Sequence, residues 1–382
     1  MVKIKAIDLF SGCGGVSCGL TSAGFKMVGA VEINKDAAEI YKNYKPLSKV
    51  NVIIDDICNV GGLDLLKNSG VDIDDLYLLA GCPPCQNFSS QNREGRKKDR
   101  AEKERLLLQY LRIIQDIYPP FILMENVSGL KSKENLPILD SFLEKLENKK
   151  ERDNRKKYFI INDILNAADY GVPQKRKRFV MHAIRMDMYN ILRKNNYKIT
   201  LPEATHSTNG KNGLHKWVSV WDAIGDLPPI KAGELYIGDG VNNHKSAGLS
   251  EINLKRISEI RKNGGNRMGL PKDLVLNCHK NYNGHKDVYG IMDPNEPAPT
   301  MTGGCLCYSK GRFGHPYQDR AISIREAARI QTFPDDFMFS DSITKSSLEI
   351  GNAVPVKLVE ASGKSILKEI LFCKKFLEDK NN

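Results

Sequence analysis

The first 200 residues predict a doubly wound, mostly parallel α/β sheet, and two observations carry that expectation. Six short apolar runs alternate with stretches of helical periodicity, the pattern of parallel strands joined by helical crossovers. Polar and charged residues gather just after each run, at the edge where open α/β sheets bind their ligands.

The elements follow in order. Ile4–Leu9 ends in Phe10-Ser11-Gly12-Cys13-Gly14-Gly15, and the helical stretch after it closes on Gly24 as a C-cap. Met27–Val31 leads to Glu32, Val50–Ile54 to Asp55-Asp56, and Leu76–Ala80 to Gly81-Cys82-Pro83-Pro84-Cys85-Gln86. Phe121–Met124, introduced by Pro119-Pro120, ends at Glu125-Asn126-Val127, and Phe179–Ile184 follows the basic run Gln174–Arg178. Leu106–Tyr118 and Pro137–Leu146 read as helices between strands. Beyond about residue 200 the periodicity fades into a segment rich in Gly, Asn, Pro, His and Lys, with short runs such as Trp217–Ile224. This predicts a second, smaller, irregular domain with some β structure. Order returns at Ser323-Ile324-Arg325-Glu326, a capping box opening a helix that runs to Gln331. Gly351-Asn352-Ala353-Val354-Pro355 then leads into a last amphipathic helix.

Composition narrows the function classes. The chain has 382 residues, 41% hydrophobic and 27% charged, as a soluble globular protein does. Its apolar runs fall short of the roughly 20 residues that span a bilayer, and its first residues lack the shape of a signal peptide. A cytoplasmic location and no membrane partner are expected. Nine cysteines at irregular spacings are expected to be reduced thiols, not a disulfide framework. The net charge of +11 is unevenly spread. Residues 1–90 hold 8 Lys and Arg against 10 Asp and Glu, residues 91–200 hold 25 against 15, and the rest 24 against 21. The excess begins just after Cys85. It fits a polyanion such as nucleic acid, although solvated helix faces account for charge alone equally well.

Four places carry chemistry. The glycine turn after the first strand lets backbone N–H groups approach a ligand, and Glu32, 20 residues after Gly12, stands where an acid commonly takes a ribose hydroxyl pair. Asp56 ends the next strand. The spacing departs from G-x-G-x-x-G, which disfavours a nicotinamide-type pyrophosphate site. Cys85 on a strand-end loop is placed for nucleophilic work if its thiolate is favoured. A buried structural cysteine, a Cys82–Cys85 redox pair and a metal site compete with that reading. The two intervening prolines count against redox, and Cys305-x-Cys307, the only other close pair, supplies too few ligands for zinc. No metal is expected. Glu125, closing an apolar strand, will be partly buried, which suits a proton donor. Arg176 and Arg178, two apart in an extended segment, would project to one side and suit a phosphate or polar base edge; a solvated charge run is the alternative.

Taken together these motifs resemble those of the DNA cytosine-5 methyltransferases, in that family's order and over most of the chain. Asp8–Gly15 resembles the first cofactor motif, and Gly81–Ser89 the nucleophile motif, in which Cys85 is the attacking residue because it precedes Gln86. Glu125-Asn126-Val127 resembles the motif of the base-contacting glutamate, and Gly171–Arg178 the Gln-x-Arg-x-Arg motif. Ser323–Pro334 and Gly351–Val354 resemble the last two.

The resemblance implies a Rossmann-like S-adenosylmethionine-dependent methyltransferase sheet in residues 1–204, which bind cofactor and catalyse. It implies a target-recognition domain and hinge in 205–340 and a C-terminal segment, 341–382, returning to the catalytic domain. Residues 205–318 match no motif, as expected of the variable part that reads the target. The implied reaction is attack of Cys85 on C6 of a cytosine flipped out of duplex DNA, followed by methyl transfer to C5. Glu125 would bind N3 and the exocyclic amine, Arg178 the O2 side, and Arg176 the site or the adjacent phosphate. Ser89–Arg105 is similar in place to the family's mobile loop. For S-adenosylmethionine, the resemblance puts Phe10 against the adenine, Glu32 on the ribose, and Gly12, Gly14 and Gly15 near the methionine portion. Ile33, Asp56 and Ile57 would border the adenine, with Pro84, Asn352 and Val354 along the donor. A monomer acting on double-stranded DNA in the nucleoid, paired with a restriction endonuclease of the same specificity, is the expected setting. The rivals are a tRNA cytosine-5 methyltransferase, whose usual Cys-Phe-Thr motif is missing from the sequence, a non-catalytic DNA-binding relative, and a small-molecule methyltransferase.

Overall fold

The computed structural model describes residues 3–84, 93–147, 157–280, 284 and 287–381. They form two compact units. One holds the chain up to Asn166, then Lys177–Glu203 and everything from Leu358; the other holds Ala167–Arg176 and Ala204–Lys357.

The first unit is built on a seven-stranded sheet in the order β3-β2-β1-β4-β5-β7-β6. Its strands are β1 (Lys5–Leu9), β2 (Lys26–Glu32), β3 (Asn51–Ile54), β4 (Leu76–Gly81), β5 (Phe121–Val127), β6 (Tyr158–Asn166) and β7 (Lys177–Arg185). Strands β1 to β5 are parallel, whereas β7 runs antiparallel to both β5 and β6. The chain winds outward from β1 through β2 to β3, then crosses to β4 on the other side of β1, so a topological switch point lies between β1 and β4. The helices are α1 (Gly15–Ala23), α2 (Lys35–Asn43), α3 (Gly62–Asn68), α4 (Arg93–Ile117), α5 (Leu136–Glu147) and α6 (Met186–Lys194). One face of the sheet buries Ile7, Leu9, Leu79, Ile122 and Met124 against Tyr110, Ile113, Ile114 and Ile117 of α4 and Phe142 of α5.

Three features differ from the sequence reading. Strand β6 was not among the six apolar runs. It lies at the sheet edge, where seven of its nine residues are half-buried, so no two-residue alternation marks it. Helix α4 starts at Arg93 instead of Leu106, because its first half is charged all round and carries no apolar stripe. Strand β5 continues through Val127, which puts Glu125 and Asn126 inside the ladder, opposite Val180 and Phe179 of β7.

The second unit has little sheet. It contains a two-residue ladder of β8 (His206–Ser207) with β9 (His215–Lys216) and the helices α7 (Val220–Ile224), α8 (Glu251–Lys262), α9 (Ile324–Ile330) and α10 (Ile343–Asn352). A final helix, α11 (Val356–Asn381), begins at its border. Its core is apolar, with Ile257, Ile260, Ile291 and Tyr308 in one cluster, but it also buries arginines. Arg320 and Glu326, both essentially inaccessible, form a two-pronged ion pair with both N···O distances at 2.7 Å. Glu326 also accepts from the Ser323 N–H and so closes the capping box of α9. Arg325 donates to the carbonyls of Asn242, Pro334 and Phe337. A buried ion pair whose members also hold neighbouring groups is costly to break from one side, since the survivor is left charged without compensation. Arg320→Ala should therefore destabilise the protein by about 3–5 kcal/mol, read as a lower denaturation midpoint in urea.

Candidate active site

Parallel packing brings the ends of β1 to β5 to one edge. At the end of β1, Asp8 is fully buried: Oδ2 accepts from Ser17 Oγ at 2.7 Å, and Tyr41 OH donates to the same Ser17 Oγ at 2.8 Å. Its other oxygen, Oδ1, has no hydrogen-bond partner. Burial, aided by the charge of Glu32 and opposed by the Ser17 bond, pushes the Asp8 carboxyl up to about 7.

The turn after β1 is sharply bent. Phe10, Gly12 and Gly14 all have left-handed backbones, with φ of 58°, 53° and 103°, a conformation that strains a residue bearing a side chain such as Phe10. At Gly14 a Cβ would approach the Tyr41 ring to 2.9 Å, so glycine is required, whereas the space beside Gly12 is open. Gly12 N–H donates to Glu32 Oε2 at 2.7 Å and Asn34 N–H to Oε1 at 2.8 Å, which locks the glutamate at the end of β2 onto the turn. Ser11 Oγ is buried there without a partner. Phe10 is half-buried, edge-on to Tyr110.

At the end of β3, Asp56 Oδ1 accepts the Cys58 N–H at 2.9 Å, which with Arg105 at 3.6 Å holds its carboxyl below the usual range. Ile57 beside it is buried and Ile33 is two-thirds exposed. After β4, burial first and the charge of Glu125 second push the Cys82 thiol far up, so it stays neutral and is a poor nucleophile. Pro84 is exposed. Cys85 lies outside the described residues, as do the first residues of the Ser89–Arg105 segment; the remainder, from Arg93, belongs to α4.

Glu125 on β5 is buried, with its Oε1 2.9 Å from Arg178 Nε on β7. Next to it, Asn126 Nδ2 donates to the Pro83 carbonyl at 3.0 Å while its Oδ1 accepts from Val127 N–H. The glutamate strand thus holds the chain at Pro83, just after β4.

Arg176 and Arg178 do not act as a pair on one extended segment. Strand β7 begins only at Lys177, so the two-residue alternation does not include Arg176. Within the second unit, Arg176 is buried and donates to the carbonyls of Met301, Gly351 and Ala353 and to Gln174 Oε1. In the same unit, Asn352 is exposed at the end of α10 and Val354 is buried.

Comparison with known proteins gives this geometry its family. A profile of C-5 cytosine-specific DNA methylases matches residues 4–368. The type II methylase M.HgiDII of Herpetosiphon aurantiacus is 33% identical over 378 residues, covering 97% of this chain and 95% of its own. The type II methyltransferase M1.HphI of Haemophilus parahaemolyticus is 31% identical, covering 96% and 87%. The chain belongs to the C-5 cytosine-specific DNA methylase family. The crystal structure of the S. pombe Dnmt2 methyltransferase shares its fold, with a TM-score of 0.57 at 18% identity over 96% of this chain and 99% of that one.

As a family member the chain is a methyltransferase, and two residues gain weight that the sequence left without a role. Asp8 opens the stretch that resembles the first cofactor motif but had no role of its own; an acid inside an apolar strand is the signal that could have singled it out. Gln331, at the C-cap of α9, gave no signal beyond its place in a motif. The raised carboxyl of Asp8 has a consequence for stability. Its folded value exceeds the unfolded one, so its contribution is fully present below about pH 4 and is lost as pH rises through about 7. Relative to the parent, Asp8→Asn should therefore gain stability as pH rises from about 4 to about 7, by about 1.4 kcal/mol per pH unit, and level off above that, in urea titrations run across that range.

Proposed function

We propose that this protein transfers a methyl group from S-adenosylmethionine to C5 of a cytosine flipped out of double-stranded DNA, with Cys85 as covalent nucleophile. The observation that carries the reading is the buried Glu125 paired with the partly covered Arg178 of the adjacent strand, with Asn126 tying Glu125's strand to Pro83, two residues before Cys85.

The glycine turn fits the donor. Its open face, the fixed Glu32 carboxylate and the orphaned buried atoms Ser11 Oγ and Asp8 Oδ1 offer a cradle for a nucleoside joined to an amino acid. Phe10, Ile33, Asp56 and Ile57 would hold the adenine and Glu32 the ribose. Gly12, Gly14 and Gly15 would hold the amino-acid portion, beside which Asp8 Oδ1 suits an ammonium. Pro84 would flank the donor. Bound there, S-adenosylmethionine supplies an electrophilic methyl group.

The chain's own residues make the cytosine reactive. C5 is a weak nucleophile until the Cys85 thiolate adds to C6, which turns the C5–C6 double bond into an enamine-like system. Glu125, donating to N3 and accepting from the exocyclic amine, stabilises the charge that addition creates. Arg178 orients Glu125 and contacts the O2 side of the ring. After methylation, loss of the C5 proton and departure of Cys85 restore the ring. The role of Arg176 is to hold the segment around Gly351 and Ala353. The irregular second unit would read the target sequence, and the enzyme would act as a monomer in a restriction-modification pair.

Cys85→Ser should abolish methyl incorporation while DNA retention in gel-shift assays stays near normal. Glu125→Gln should slow single-turnover methylation by roughly 10²–10⁴-fold; a loss of less than tenfold would remove Glu125 from the chemical step. The reading is tested directly by incubating the protein with S-adenosylmethionine and mixed-sequence DNA containing 5-fluorocytosine. The expected product is an adduct on Cys85. An adduct formed only with transfer RNA carrying the same analogue would overturn the DNA assignment, and no adduct with either would overturn the covalent mechanism.

A further inference from the structure

Glu125 is held from both sides. Strand β5 lies between β4 and β7 in the sheet, and Arg178 of β7 sets its Nε 2.9 Å from Glu125 Oε1. On the other flank, the register that pairs Gly81 with Met124 brings the next residue of the chain, Cys82, level with Glu125. Its Sγ is hydrogen-bonded to the Glu125 carboxyl and to the Glu125 main-chain N–H. The N–H donates to sulfur. Burial, with the charges of Glu125 and Asp8, keeps the proton on the thiol, so the S–H donates to the carboxyl. Cys82 has little freedom to move away. Its own N–H donates to the Leu9 carbonyl at 3.3 Å, and the Pro83 carbonyl after it accepts from Asn126 Nδ2 at 3.0 Å. A Cβ on Gly81 before it would come within 2.8 Å of the Tyr110 ring. A carboxyl gripped by a guanidinium from one neighbouring strand and a thiol from the other loses the rotations that a single partner would leave it. Serine would keep both the donor and the acceptor, alanine neither, and valine would fill the space with no donor.

We propose that Cys82 is a positioning residue for Glu125: from the flank opposite Arg178 its thiol fixes the carboxyl in the orientation that meets the cytosine, and it acts through Glu125 alone. The inference rests on the proposed role of Glu125 in the chemical step. It is tested on the full-length protein with Cys82→Ala, Cys82→Ser, Glu125→Gln and the Cys82→Ala/Glu125→Gln double variant, each melted to verify folding. One readout is the single-turnover methylation rate at saturating S-adenosylmethionine and mixed-sequence DNA. The other is the infrared S–H stretch of Cys82, identified as the band that Cys82→Ala removes. Cys82→Ala should slow methylation about five- to tenfold, as the loss of one hydrogen bond does. Cys82→Ser should return the rate to within about threefold of the parent, and Cys82→Ala should slow Glu125→Gln no further. The S–H band should move to higher frequency in Glu125→Gln, where an amide replaces the carboxylate as acceptor. A parent-like Cys82→Ala beside a slow Glu125→Gln, a Cys82→Ser no faster than Cys82→Ala, effects that multiply, or an unmoved band would each overturn the positioning role while leaving that of Glu125 standing. A Glu125→Gln variant as fast as the parent would put the reading of Glu125 at fault, and the proposal falls with it. Should Cys82→Ala not fold, Cys82→Val takes its place with the same expected loss, and an unchanged rate would again overturn the role.

Discussion

The direction of one strand decides what the first unit can do. Strands β1 to β5 are parallel, so their carboxyl ends open on a single edge, and Asp8, Glu32, Asp56, Cys82 and Glu125 all collect there. Strand β7 is antiparallel to β5, and for that reason its beginning, not its end, meets the same edge: Arg178 pairs across from Val127, within reach of Glu125. A parallel strand in that position would have brought Ile184 and Arg185 there instead. The reversal of β7 thus gives the buried glutamate its counter-ion, and a carboxylate so deep in the sheet is tolerable only with one.

Two buried carboxyls stand at this edge and are treated differently. Glu125 faces a guanidinium. Asp8 faces two hydroxyls in series, Ser17 and then Tyr41, neither of which carries charge. The first environment accommodates an anion and the second resists one, as the upward push on the Asp8 carboxyl records. Cys82, near both acids, is kept neutral by the same low polarity. The edge thus combines an acid held by a guanidinium with one that has only hydroxyls beside it.

Much of this was legible in the sequence, because parallel strands buried on both faces are continuous apolar runs and the polar residues at their ends follow directly after them. Phe10, Glu32, Asp56 and Glu125 could be located from that alone. The edge strand β6 could not, since half-burial on both faces erases the alternation that would mark it. The burial of Arg176 was not legible for a similar reason: a basic run reads as surface, and nothing local says that one of its members turns inward to main-chain carbonyls contributed from residues 301, 351 and 353. Gln331 was invisible as an individual because its partners, Gln174 and the 350–356 turn, lie 157 residues before it and about twenty after it in the chain. The second unit escaped in general because its buried apolar residues are spread over irregular chain without a helical or strand period, and arginines and histidines, which hydropathy scores as exterior, are buried among them.

The second unit is discontinuous: ten residues, Ala167–Arg176, belong to it although the bulk of it is Ala204–Lys357. This matters for anyone recombining such proteins. A transplant of 204–357 into a relative's framework would leave behind Gln174 and Arg176, and with them the side-chain bonds to Met301, Gln331, Gly351 and Ala353. The recipient would have to supply matching amide and guanidinium groups at the corresponding places. The natural module for exchange is therefore two pieces of chain, inherited together or not at all.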